Sequence, residues 1–81
     1  ETGMNQLTVA EVLEKAKRKW REKGEMYRQD PLEMMTFEEI VAVLKMKVLR
    51  VLVGKKWKQI ADDLEDIVAY AAYLRTRCKE E

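Results

Sequence analysis

The chain is 81 residues long, 47% hydrophobic and 38% charged, and sixteen Lys and Arg against fifteen Asp and Glu leave a net charge of +1. That composition is too apolar for a disordered segment and allows one small domain. It singles out neither nucleic acid nor an anionic membrane as a partner. The absence of histidine excludes imidazole triads and His-ligated zinc, and Cys78, the only cysteine, excludes an internal disulfide, so a reducing, cytoplasmic setting is the simplest expectation.

Glu1-Thr2-Gly3 ahead of Met4 reads as an expression scar, leaving 4–81 as the expected single domain. Thr8-Val9-Ala10-Glu11 has the form of a capping box, with Thr8 as N-cap and Glu11 three positions on. Val9, Val12, Leu13, Ala16 and Trp20 then recur at helical spacing, and Gly24 is a natural stop. A first helix is expected over about 8–23, with one apolar face. Its other face is rich in Lys and Arg and is expected to be solvated.

Residues 25–35 read as a connector, with a turn or short helix opening at Asp30-Pro31 and with Met34 and Met35 filling a core edge. Thr36-Phe37-Glu38-Glu39 is a second capping box, and the helix it starts is expected over about 37–53, ending at Gly54. Phe37, Ile40, Val41, Leu44, Val48 and Val51 make one stripe of this helix, while Ala42, Met46, Leu49 and Val53 make another on the opposite side.

A third helix is expected over about 56–77. Trp57, Ile60, Ala61, Leu64, Val68 and Ala71 form its main stripe, and Asp62, Asp66, Ala69 and Tyr73 line up opposite. Both tryptophans are expected in the core. No run of about 20 apolar residues is present, so no membrane span is expected. Two helices apolar on two sides and one apolar on one side cannot all be satisfied in a three-helix monomer. The expected architecture is all-α: a three-helix subunit that completes a four-helix-like bundle by dimerisation.

The chemistry concentrates in the third helix. Asp62, Asp63, Glu65 and Asp66 fall within five positions. Like charges one turn apart destabilise a helix, so a compensating cation or an oxygen-ligated Mg²⁺ is expected beside them. If the last two helices pack antiparallel through Gly54, Arg50 comes near Asp62 and Asp66. Glu38 and Glu39 then reach the aspartates only through offset packing or a second subunit.

Taken together, the acidic helix start, Lys47-Val48-Leu49-Arg50, and Asp62 to Tyr73 running into an Ala-Tyr segment resemble the all-α MazG-like nucleotide pyrophosphohydrolase superfamily. The closest likeness is to small phage and viral members associated with nucleotide modification. Val12 to Ala16 and Lys23 to Tyr27 fit their opening helix and loop. The resemblance implies a homodimer or tetramer, an intracellular setting and a nucleotide substrate. It also implies Mg²⁺ held by Glu38, Glu39, Asp62, Asp63 and Asp66, with cleavage of a nucleoside triphosphate to monophosphate and pyrophosphate. Glu39, Asp62 and Asp66 would be the catalytic carboxylates, Lys47 and Arg50 the phosphate clamps, and Tyr70 or Tyr73 a stacking platform for the base.

The superfamily's first motif, Glu-Glu-x-x-Glu, appears here as Glu38-Glu39-Ile40-Val41-Ala42, with Ala42 in the place of the third acid. The second, Glu-x-x-Asp, appears as Asp63-Leu64-Glu65-Asp66, or alternatively as the Asp62/Asp66 pair. A degenerate member is therefore one expectation beside an active one, and a non-catalytic oligomerisation or adaptor module is the alternative. Gly54 to Leu64 also resembles the opening of a helix-turn-helix. The turn glycine after Leu64 is absent, and Glu65-Asp66 would point acids at DNA phosphate, which ranks a nucleic-acid partner last.

Overall fold

The computed structural model describes residues 6–26 and 31–79. Three α-helices make up the fold, with no strand among the described residues: α1 is Val9–Met26, α2 is Phe37–Val53 and α3 is Trp57–Thr76. A single 3₁₀ turn, Pro31–Met34, precedes α2. The expected scar Glu1-Thr2-Gly3, and Tyr27 and Asp30 of the connector, lie outside the described residues.

Both capping boxes form. Glu11 N–H donates to Thr8 Oγ1 at 3.1 Å while Thr8 N–H donates to Glu11 Oε1 at 2.8 Å. The Thr36–Glu39 pair repeats the arrangement at 3.1 and 2.8 Å. Each box satisfies two backbone N–H donors that the first turn would otherwise leave open, which is why both helices begin where they do. The Thr8 hydrogen bonds also hold the Glu11 carboxyl below its ordinary pKa.

Gly24 does not stop α1, which runs on to Met26. The glycine has no positive φ, so the left-handed cap that ends helices at glycine is absent here. Gly54 does end α2, by a different device. Its backbone is extended, and a Cβ there would sit 2.8 Å from Ile60 Cγ1 and 3.0 Å from the Arg50 carbonyl oxygen. The turn is tight because α3 returns against the end of α2. Gly54→Ala should therefore destabilise by about 1–3 kcal/mol through overpacking. Gly24→Ala, whose Cβ meets nothing within 4 Å, should stabilise by up to about 1 kcal/mol. Urea-unfolding midpoints that moved the same way for both would contradict this account of the turn.

α3 is the central element, with α1 and α2 packed on it. Arg77 Nη1 donates to the Met35 carbonyl at 3.0 Å and ties the end of α3 to the start of the α2 hairpin. Among the described residues the buried apolar side chains are Ala16, Ile40 and Leu74. Several expectations are corrected here. Met34 and Trp57 are exposed, not core; Met34 lies on a single 3₁₀ turn, and Trp57 begins α3 just past the end of α2, where no helix overlies it. Trp20 is half-buried. The main stripe of α3 is also largely open: Trp57, Ala61, Leu64 and Ala71 are exposed, while Asp63 and Asp66 are buried. The packed face of α3 carries Asp63 and Asp66 in its first half and Leu74 near its end.

Candidate functional site

Asp62, Asp63, Glu65 and Asp66 occupy consecutive turns at the start of α3, and α1 and α2 bring cations to them from two sides. From α2, Lys47 Nζ donates to Asp66 Oδ2 at 3.1 Å and lies 3.9 Å from Asp63 Oδ1, and Arg50 Nε is 3.4 Å from Asp63 Oδ2. From α1, Lys19 Nζ reaches Asp62 Oδ1 at 2.6 Å, Asp66 Oδ1 at 3.2 Å and Glu65 Oε1 at 3.6 Å, with Lys23 Nζ 3.6 Å from Asp66 Oδ1. The α2–α3 pairs, Arg50 with Asp63 and Lys47 with Asp66, run in opposite chain directions, so the hairpin is antiparallel.

Burial separates the acids. Asp63 is 2% exposed and Asp66 7%, whereas Asp62 stands at the surface. One carboxylate oxygen from each of these three lies within 4.8 Å of the others. Asp63 Oδ2 is the buried side-chain oxygen that accepts no hydrogen bond from any described residue. Burial pushes the Asp66 carboxyl up, but hydrogen bonds from Lys47 and Lys19 and the charges of Lys23 and Lys19 outweigh it, leaving its pKa below the ordinary value. Burial likewise depresses Lys19, yet its hydrogen bonds to Asp62 and Asp66 prevail and hold it above the ordinary lysine value.

The structure thus brings together Asp62, Asp63, Asp66, Lys47 and Arg50 from the sequence-based set. Arg50, expected beside Asp62 and Asp66, instead faces Asp63, one residue on from Asp62, and Lys47 takes Asp66. Glu38 and Glu39 do not join the cluster within the subunit. Glu39 closes the cap at the opposite end of α2, and eight residues of helix separate it from Lys47 by about 12 Å. Tyr70 and Tyr73 pack on Trp20, with ring centroids 6.2 and 5.4 Å apart, so they serve first as the α1–α3 contact.

Sequence reasoning missed Lys19 and Lys23, assigned to a solvated face. Their four-residue spacing matches that of Asp62 and Asp66, and this was the available signal. Beside the cluster, an apolar groove of about 300 Å³ runs between α1 and α3, lined by Leu13, Ala16, Trp20, Val68, Ala72 and Tyr73 among others. Comparison of the chain with family models, with curated proteins and with solved structures finds no match.

Proposed function

We propose that the crevice at the head of α3 binds the polyphosphate of a nucleotide through Mg²⁺, as in a nucleoside triphosphate pyrophosphohydrolase of the MazG-like kind. The observation that carries this reading is Asp63 Oδ2: an anionic oxygen, buried, 3.4 Å from Arg50 Nε yet accepting no hydrogen bond from a described residue, inside a set of three converging carboxylates. Leaving such an atom unsatisfied costs free energy, and a hard cation accepts oxygen ligands of this kind. Three carboxylate oxygens suit one Mg²⁺ by donor type; they would draw in from a spacing of up to 4.8 Å as the lysines facing them release part of their hold.

When bound, Mg²⁺ would neutralise charge developing on the phosphate oxygens and the leaving pyrophosphate. The protein's own groups would do the rest. Lys47 and Arg50 on one wall, and Lys19 and Lys23 on the other, would turn from the aspartates to phosphate oxygens, Arg50 with bidentate capacity. Asp62, at the exposed mouth, is placed to orient a water. Self-association belongs to the same proposal. Phe37, Val41 and Val48 of α2 and Leu64 of α3 leave an apolar outer face uncovered, and a second copy seated on it would complete a four-helix-like bundle.

A second reading has its own support. Lys19, Lys23, Lys47 and Arg50 face Asp62, Asp63, Glu65 and Asp66, so the cluster balances its charge without a metal. It would then be an internal clasp in a non-catalytic oligomerisation module. A panel of canonical and modified nucleoside triphosphates with Mg²⁺, read by pyrophosphate release, decides between them. The native chain should turn over at least one substrate and Asp66→Asn should lose at least about a hundredfold. Mg²⁺ alone should raise the Tm of the native chain but not of Asp63→Asn. No turnover and no Mg²⁺ effect would leave the clasp.

A further inference from the structure

We propose that the turn joining α2 to α3 is a docking surface for an anionic lipid bilayer. Leu52, Val53 and Trp57 there are 77%, 71% and 84% exposed. Between and beside them stand Lys55, Lys56 and Lys58, all exposed and none in an ion pair with a described residue. An open hollow of about 590 Å³ next to the turn is lined by Lys15, Lys56, Lys58 and Gln59, and its acids, Asp62 and Glu65, are already engaged by Lys19. The overall charge of +1 conceals this local excess of lysine.

The residue types match an anionic interface in register. An indole ring settles at the headgroup level, with its apolar body inward and its N–H outward. The aliphatic side chains of Leu52 and Val53 reach the acyl boundary, and the lysines spread along the surface with their ammonium groups at lipid phosphates. Each such lysine strengthens attachment about fivefold.

The alternatives fit less well. A second copy placed turn against turn would bring the unpaired lysines of both copies together, which repels. The apolar face assigned above to self-association uses Phe37, Val41 and Val48 of α2 and Leu64, two turns beyond Trp57 on the same side of α3, and none of the turn's own residues. Single-stranded nucleic acid is held by several stacking platforms, whereas the turn has one aromatic ring and two aliphatic side chains with nothing to stack. No helix among the described residues is long and apolar enough to cross a membrane, and the contact proposed for this turn is peripheral.

The test uses the whole chain with phosphatidylcholine vesicles, with and without about 30% phosphatidylserine. Co-sedimentation should require phosphatidylserine and fall with added salt, and Lys55→Ser with Lys56→Ser should weaken it about 25-fold. In a Trp20→Phe background, Trp57 emission should shift to the blue on the anionic vesicles. Should that variant lose helix content, the difference between the native chain and Trp57→Phe supplies the same reading. Equal binding to both vesicles, or to neither, would overturn the proposal. So would a blue shift that follows protein concentration without lipid, or one produced by a single-stranded oligonucleotide instead.

Discussion

Asp66→Ala should lower the free energy of unfolding by about 3 kcal/mol, and the Tm by about 10–20 °C for a domain of this size. The substitution strands Lys19, Lys23 and Lys47 around a position that now accepts hydrogen bonds from Lys47 and Lys19 and pairs with all three lysines. Breaking a buried pair on one side leaves like charges facing each other, and the loss exceeds the worth of the pair itself. The figure sits at the low end for buried pairs because all three lysines keep part of their length in water. The same cluster sets a pH window. Asp66 titrates below its unfolded value, so its contribution is fully present above about pH 4 and is lost as pH falls through the folded pKa. Lys19 is raised, so its contribution is full below about pH 10 and fades as pH climbs through its folded pKa. Chemical denaturation from pH 2 to 11 should show a plateau with both shoulders, and Asp66→Ala should flatten the acid one. An unchanged acid limb in the variant would contradict the assignment.

Val48→Glu, or Leu64→Glu, should convert the proposed dimer into a monomer of 9.6 kDa by light scattering. Both side chains are exposed in the single subunit, so neither change disturbs its interior. In the paired form each would place an unmatched carboxylate inside an apolar contact. That costs several kcal/mol, enough to raise the dissociation constant about a thousandfold. Helix content should persist in the variants at low concentration. A native chain that is already monomeric at tens of micromolar would remove the four-helix-like bundle from the account.

Apart from the end of α1, which runs three residues past its expected stop to Met26, the elements were legible to within a residue because their ends are written in local chemistry. Thr8 with Glu11 and Thr36 with Glu39 are self-contained capping boxes, and Gly54 sits where two helices must approach closely. Burial was less legible. A helical wheel groups Trp57, Ala61, Leu64 and Ala71 on one side of α3 but is silent about which side meets a neighbour. The face that α1 and α2 cover is the one whose acids they can neutralise. Lys19 and Lys23 escaped notice for the same reason: on α1 alone they sit among other lysines and arginines, and only α3 distinguishes them. The approach of Arg50 and Lys47 to the aspartates was readable, since a short connection forces an antiparallel hairpin. Which aspartate each would meet was not, because Asp62 and Asp63 are neighbours about 100° apart around α3, and a small rotation of the helix exchanges one for the other.

The two halves of the cluster differ in how far apart they lie along the chain. Lys47 and Asp66 are separated by 19 positions, Lys19 and Asp62 by 43. Closing the shorter loop costs less entropy, so the α2–α3 hairpin can assemble its half of the charges before α1 arrives. By the same reckoning α1 is the helix most readily shed. Its lysines lie across the acids, and were it to lift away Asp62 and Asp66 would lose their partners on that side while Lys47 and Arg50 stayed in place. Entry to the crevice would then be governed by the docking of one helix, with no loop needed to open or close it.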